Sequence, residues 1–136
     1  DPRWLNSPGW RLARDDFPLI LAEVHHRHWL KQLLAWAREH PADEAAPPPM
    51  DASQCDFGRW YHADGKERYG HLDEYLAAEA PHRRVHELGH DIVSLHLAGK
   101  HTERWRTEAH LLDASDIFID HLVRLRRAVS HRDARE

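Results

Sequence analysis

The residues with the clearest capacity for chemistry are the single cysteine, Cys55, and a few of the fourteen histidines. One thiol cannot form a disulfide within the chain, so its role depends on which side chains reach it. His82 and His86 are four residues apart in "HRRVH", so on a helix both imidazoles project from one face within reach of one ion. Arg83 and Arg84 stand where a zinc peptidase carries its glutamate, which disfavours a peptidase. The pair therefore predicts a metal site of another kind.

A third candidate ligand, His26, lies on the apolar face of a predicted helix. A lone histidine there is often a hydrogen-bonded core residue, and that interpretation stays open. Burying an imidazole is unfavourable unless both nitrogens have partners, which a metal and a carbonyl would provide. Together with Cys55, the histidines would supply three nitrogens and one thiolate, a donor set that suits tetrahedral zinc better than iron or calcium. The predicted ligands are His26, Cys55, His82 and His86.

The elements that must position these side chains are predicted to be helices. Apolar residues recur every three or four positions from Phe17 to about His40, where the proline-rich "HPADEAAPPPMDAS" ends the helix. A short helix begins at or near Cys55 and stops at "ADG". A further helix begins around Tyr69 and meets Pro81, which either kinks it or lies in the first turn of a new helix.

Two more apolar patterns complete the predicted fold. One runs from His82 to a stop near Gly99, and the last helix runs from just after Thr102 to about Ser130. No segment of useful length has the period of a strand. We therefore expect an all-α protein, an antiparallel four-helix bundle with an additional short helix that carries the cysteine. The predicted buried face of the last helix consists of Ala109, Leu112, Ile119, Leu122 and Leu125.

Length and composition indicate one globular domain. The chain has 136 residues, of which 31% are charged and 41% hydrophobic, with a net charge of −4. This balance disfavours nucleic-acid binding, and no apolar run reaches the roughly 20 residues of a membrane span. A lone cysteine suits a reducing compartment, so we expect a cytoplasmic location. The predicted organisation is an irregular or partly helical lead-in at 1–16, a bundle at 17–130 and a polar tail at 131–136. The first residue, Asp1, is compatible with a piece of a longer chain.

Most of the remaining histidines are predicted to lie at the surface, because their neighbours are polar. The two that flank the candidate ligand in "HHRH", His25 and His28, are also predicted to lie at the surface. The further members of this group are His40, His62, His71, His101 and His131.

Four motifs resemble the chemoreceptor zinc-binding domain, a family found in bacterial chemoreceptors and in zinc-regulated diguanylate cyclases. They are "HRHW" at 26–29, "CDFGRW" at 55–60, "HRRVH" at 82–86 and the closing "LLDASDIFIDHLVRL". The resemblance covers roughly 17–125, and the cysteine motif is its most specific part. It implies zinc held by His26, Cys55, His82 and His86 in a four-helix bundle that tends to form homodimers. It also implies that Phe57 and Trp60 pack around the site and that Trp29 is a core residue.

The resemblance further implies a sensor rather than an enzyme, which controls a signalling output of the diguanylate cyclase or chemotaxis type. A second possibility within the family is redox sensing, in which hypochlorous acid oxidises the zinc-bound Cys55. A structural zinc that only stabilises a dimer, a zinc hydrolase and a non-haem di-iron bundle also stay open. The di-iron bundle is disfavoured because Glu23, Glu87 and Asp91 form no paired Glu-x-x-His arrangement. The hydrolase is disfavoured because four protein ligands leave no open position on the metal.

Overall fold

Helices form almost all of the described structure. The computed structural model describes residues 16–39, 46–48 and 55–135, and within these ranges there is no strand. None of the described helices is long and apolar enough to cross a membrane. The prediction of an all-α fold with a short helix at the cysteine is confirmed. Residues 1–15 of the predicted lead-in and His40 lie outside the described residues, and Asp16 begins α1. The elements are α1 (Asp16–Glu39), α2 (Asp56–Trp60), a π-helical segment (Tyr61–Gly65), α3 (Lys66–Tyr69), α4 (Asp73–Leu97) and α5 (His101–Arg135).

Helices α4 and α5 form the most extensive pair in the bundle, joined by a tight turn. Gly99 adopts φ 71°, the left-handed conformation that glycine takes without steric strain. Its N–H donates to the carbonyl of His96 at 3.1 Å, and the N–H of Lys100 donates to that of Leu95 at 2.9 Å. This Schellman pattern ends α4 and reverses the chain, so α5 runs back antiparallel to it. Buried side chains between the long helices include Leu33, Val85, Ile92, Leu111, Leu122 and Leu125.

The boundaries between the middle helices differ from the prediction. The helical path that starts after Cys55 does not stop at "ADG" but continues through the π-helical segment to Tyr69. The next helix begins at Asp73 and continues through Pro81 as one helix, so the interpretation in which this proline opens a new helix is wrong. Proline removes one backbone hydrogen bond, and α4 continues because it is packed along α5.

The π-helical segment is attached to α4 by two tyrosines. The Tyr61 hydroxyl donates to the carbonyl of Tyr75 at 2.7 Å, and the Tyr75 hydroxyl donates to that of Tyr61 at 2.6 Å. Their rings stack with centroids 4.0 Å apart. Gly65 allows Trp60 to pack closely, since a Cβ there would lie 2.9 Å from the indole. These contacts fix the segment that follows the cysteine.

The buried face of α5 is rotated from the predicted one in its first half. Ala109 and Leu112 are exposed, so their assignment to the core is wrong, whereas Ile119, Leu122 and Leu125 are buried as predicted. The inward positions are taken instead by Arg104, Glu108, Leu111, Ser115 and Phe118. Three of these five are polar, which is why hydrophobic periodicity alone gave the wrong face.

Candidate metal centre

Cys55 is placed by the first turn of α2. It is the N-cap residue, and its Sγ accepts a hydrogen bond from the N–H of Gly58 at 3.2 Å. Phe57 and Gly58 are buried beside it, so the motif "CDFGRW" anchors the thiol against the bundle. Burial raises the pKa of Cys55, and hydrogen bonds from the backbone of Gly58 and Phe57 only partly oppose that effect. The thiol is therefore protonated at neutral pH until a cation is bound to it.

His82 and His86 lie one turn apart on α4 and face this thiol. The Nε2 atom of His82 is 3.1 Å from Cys55 Sγ, and the two imidazole rings have centroids 4.7 Å apart. The ligand atoms of Cys55, His82 and His86, one from each residue, all lie within 4.8 Å of one another. Both histidines are buried, at 6% and 7% exposure. The spacing of the "HRRVH" motif thus places both imidazoles on one face of α4, beside the cysteine.

His26 enters the same cavity from α1 but is not a member of that three-residue group. Its Nε2 atom lies 3.1 Å from the hydroxyl of Ser115 on α5. Both side chains are buried, at 8% and 1% exposure. The structure therefore brings together three of the four predicted ligands and places the fourth beside them with a different hydrogen-bond partner.

Aromatic side chains enclose the histidines. Phe118 contacts both His26 and His82, with ring centroids 5.0 and 5.1 Å away. Trp29 stacks on His26 at 5.6 Å and lies 5.1 Å from His86. The apolar surroundings strengthen charge interactions inside the cavity because they lower the local dielectric constant. The cavity, of about 200 Å³, is lined by Ala22, His25, His26, Trp29, Cys55, Asp56, Phe57, His82, His86 and Phe118 and is called the metal cavity below.

The electrostatics of the metal cavity favour neutral imidazoles. Burial and, to a smaller extent, the like charges of the neighbouring His86, His26 and His62 together lower the pKa of His82 to about 3. Burial likewise lowers the pKa of His26 to about 4, with smaller contributions from His86 and Arg27. Neutral imidazole is the form that coordinates metals, so no proton has to leave these two rings before an ion binds.

This donor set fits zinc. Zinc bonds of about 2.0–2.3 Å in a tetrahedron place neighbouring ligand atoms roughly 3.3–3.6 Å apart. The 4.8 Å limit on the cluster of Cys55, His82 and His86 leaves only a small adjustment to reach that geometry. No carboxylate belongs to the cluster, so among the described residues nothing resembles the carboxylate-rich site of a di-iron bundle.

A helical bundle that gathers a thiol and imidazoles in one buried cavity has the features of a zinc-binding domain. The profile of the chemoreceptor zinc-binding domain matches residues 26–93, half of the chain and all four predicted ligands. The chain belongs to this family, which confirms zinc as its cofactor. Domains of this family are regulatory sensors of signalling proteins rather than enzymes, and they typically dimerise. None of the curated proteins or solved structures compared with the chain matches it significantly.

The side chains that surround the candidate ligands are partly those that the family resemblance implied. Phe57 packs against His82 with ring centroids 4.8 Å apart, whereas Trp60 lies behind it, in contact with Phe57 at 6.2 Å. The implied core residue Trp29 is partly buried at the cavity wall. Ser115 and Phe118 had no predicted role, although both fall in the "LLDASDIFIDHLVRL" stretch.

The surface histidines agree with the prediction wherever they are described. His25 and His28 are exposed. The Nδ1 atom of His25 contacts the carboxylate of Asp56 at the mouth of the metal cavity. The rest of the described group, His62, His71, His101 and His131, is also exposed.

Proposed function

We propose that this domain reversibly binds one zinc ion through His26, Cys55, His82 and His86 and that zinc occupancy is its signal. The observation that carries the proposal is the convergence of Cys55 on α2 with His82 and His86 on α4. Because His26 of α1 lines the same cavity, one ion would connect three separate helices. A link of that kind favours whichever arrangement of the bundle brings all four ligands together.

The residues of the chain prepare this site for an exchangeable ion. Zinc, when bound, supplies the positive charge that keeps the Cys55 thiol deprotonated. The neutral imidazole of His82 offers its lone pair without releasing a proton. Phe57 and Phe118 hold the rings in place and limit the access of water. Since these contacts are made by three helices and the helical segment after Cys55, zinc occupancy is coupled to how the helices pack.

The proposed output is a signalling domain or partner of the diguanylate cyclase or chemotaxis type, controlled through a homodimer. Support comes from the family and from apolar side chains on the outer surface of α5. Trp105 and Leu112, seven residues apart and therefore on one side of α5, are 65% and 43% exposed and offer apolar surface that a second protomer would cover. Light scattering of the purified domain at several concentrations measures whether it dimerises.

Zinc titration against a competing chelator tests the proposed function. We expect the wild type to bind one zinc per chain with a sub-micromolar dissociation constant. Cys55→Ala should lower zinc affinity at least about a hundredfold, because loss of a ligand costs more than loss of an outer-shell partner, which changes affinity 10–100-fold. Removal of zinc by chelator should leave a folded helical protein that binds zinc again. A protein that unfolds without zinc would instead have a structural ion, and one without a sub-micromolar site would contradict the proposal.

A second candidate, redox sensing, is favoured by the position of Cys55. The thiol is partly exposed and lines a cavity that opens to the surface, so a small oxidant can reach it. One molecule of hypochlorous acid would transfer its oxygen to the thiolate, which gives a sulfenic acid and releases chloride. The sulfenic acid is a weaker zinc ligand than the thiolate. Because burial raises the thiol pKa, we expect Cys55 to react faster with zinc bound than without it. Equal rates in stopped-flow measurements would exclude zinc-assisted oxidation.

A further inference from the structure

The hydrogen bond between His26 and Ser115 connects two helices at the metal cavity. The Nε2 atom of His26 on α1 and the Oγ atom of Ser115 on α5 are 3.1 Å apart, although 89 residues separate them in sequence. Ser115 is 1% exposed, so water does not compete for its hydroxyl. The bond therefore fixes the His26 ring relative to α5.

The same ring is also the predicted fourth ligand. A neutral imidazole carries one proton and one lone pair, so an Nε2 atom bonded to a hydroxyl cannot simultaneously bind a metal. Cys55, His82 and His86 already have ligand atoms within 4.8 Å of one another, and His26 is outside this group. The Nε2 atom of His26 thus has two possible partners, the Ser115 hydroxyl or an ion held by the three clustered residues.

We propose that Ser115 competes with zinc for His26, so that zinc capture moves the His26 ring from α5 to the cluster formed by Cys55, His82 and His86. In this role Ser115 is a positioning residue that lowers zinc affinity and makes α5 sensitive to zinc. The inference rests on the proposed zinc-binding function and adds the route by which α5 responds.

The chemistry of a buried serine makes the exchange feasible. When His26 leaves, the Ser115 hydroxyl can bond the backbone carbonyl one turn earlier in α5, as serines in helices commonly do. Removing the Ser115 hydroxyl should therefore destabilise the zinc-bound form only slightly, whereas the zinc-free form would lose the His26–Ser115 hydrogen bond. Removing the hydroxyl should therefore raise zinc affinity by about three- to tenfold, the range that corresponds to the net contribution of one hydrogen bond.

A double-mutant cycle on zinc affinity tests this proposal. We expect Ser115→Ala to bind zinc about three- to tenfold more tightly than the wild type, and Ser115→Thr, which keeps the hydroxyl, to match the wild type. Ser94→Ala, at an exposed position on α4, is the matched control and should change affinity less than twofold. In a His26→Ala background the effect of Ser115→Ala should disappear, because the competition requires both side chains.

Spectroscopy of the wild-type protein provides a second measurement that does not depend on any variant folding. Long-range proton–nitrogen spectra should show one His26 nitrogen moving to the shift of a metal-bound imidazole on zinc addition, while amides around Ser115 change. Unchanged or weaker zinc binding by Ser115→Ala, or an equal gain in the His26→Ala background, would overturn the inference while wild-type zinc binding persists. Absence of zinc binding by the wild type would instead refute the proposed function.

Discussion

The metal cavity and a second polar group, formed by the exposed Arg38 with the buried Arg104 and Glu108, both connect α1 to α5. In this second group, called the charged cluster, Glu108 accepts from Arg38 at 3.1 Å and from Arg104 at 3.5 Å. Its carboxylate is 3% exposed and its charge is compensated by guanidinium groups of the same chain. In the metal cavity, by contrast, the neighbours that lower the pKa of His26 and His82 are of the same sign as a protonated imidazole.

The difference separates a structural polar cluster from a binding site. Charges that are compensated inside the protein hold helices together, and a ligand adds little to them. Neutral lone-pair donors that converge on one point gain more from a cation than from each other. The charged cluster should therefore matter for stability and not for zinc, and the metal cavity should show the reverse.

The largest effect is expected at the charged cluster. Glu108→Gln leaves the buried Arg104 without its counter-charge, which should lower the free energy of unfolding by about 3 kcal/mol, the lower end of the range for breaking a buried pair. Glu108 lies seven residues before Ser115, roughly 10 Å along α5, so zinc affinity should change less than threefold. Urea unfolding and zinc titration measure both. The control is Glu103→Gln, exposed on the same helix, and a tenfold loss of zinc affinity in Glu108→Gln would remove the distinction between the two regions.

The complementary change is made in the metal cavity. His86→Ala should weaken zinc binding by at least about a hundredfold, or roughly 2.7 kcal/mol, because it removes a ligand rather than an outer-shell partner. His90→Ala, one turn further along α4 and exposed, is the matched control and should bind zinc like the wild type. Similar affinities for the two variants in chelator competition would show that His86 is not a ligand.

The dependence of zinc binding on pH examines the protonation states of the cavity. The pKa values of His82 and His26, lowered to about 3 and about 4, leave both rings unprotonated at neutral pH, whereas the raised pKa of Cys55 leaves the thiol protonated. Binding then releases one thiol proton, so affinity should rise about tenfold from pH 7 to pH 8 and fall as the pH falls.

Calorimetry in buffers of different ionisation enthalpy counts the released protons directly. One proton per zinc at pH 7 to 8 agrees with a thiol as the group that deprotonates. Zero protons would mean that Cys55 is already a thiolate or does not bind zinc, and either result would contradict the described electrostatics.

The smallest effect is expected at the mouth of the metal cavity. The contact of His25 with Asp56 joins side chains that are 50% and 59% exposed, so solvent screens it. His25→Ala should change the free energy of unfolding by less than about 1 kcal/mol and zinc affinity by less than threefold. Asp56→Asn is the matched control for loss of the pair. A tenfold loss of zinc affinity in His25→Ala alone would indicate that His25 is a ligand and would contradict the proposed set of four.

Part of the metal cavity was predictable because part of its geometry is local. The four-residue spacing of His82 and His86 fixes both on one face of α4, and the short helix that begins after Cys55 follows from its flanking residues. The contact between His26 and Ser115 was not predictable, because it joins residues 89 positions apart and depends on how α1 packs on α5.

The face of α5 was mispredicted for a related reason. Hydrophobic periodicity places Leu112 inside, but the structure buries Glu108 and Arg104 there because they pair with each other and with Arg38. A buried ion pair cannot be recognised from a pattern that counts only apolar residues. The charged cluster was therefore not predicted from the sequence, whereas the candidate ligands of the metal cavity were proposed from their spacing and from the family resemblance.

X-ray absorption at the zinc edge tests the central claim, zinc coordination by one thiolate and three imidazoles, most directly. We expect one sulfur neighbour at about 2.3 Å and three nitrogen neighbours at about 2.0–2.1 Å in the wild-type protein. In Cys55→Ala loaded with excess zinc, the sulfur neighbour should disappear. A wild-type spectrum without a sulfur neighbour, or with two, would contradict the coordination proposed for this domain.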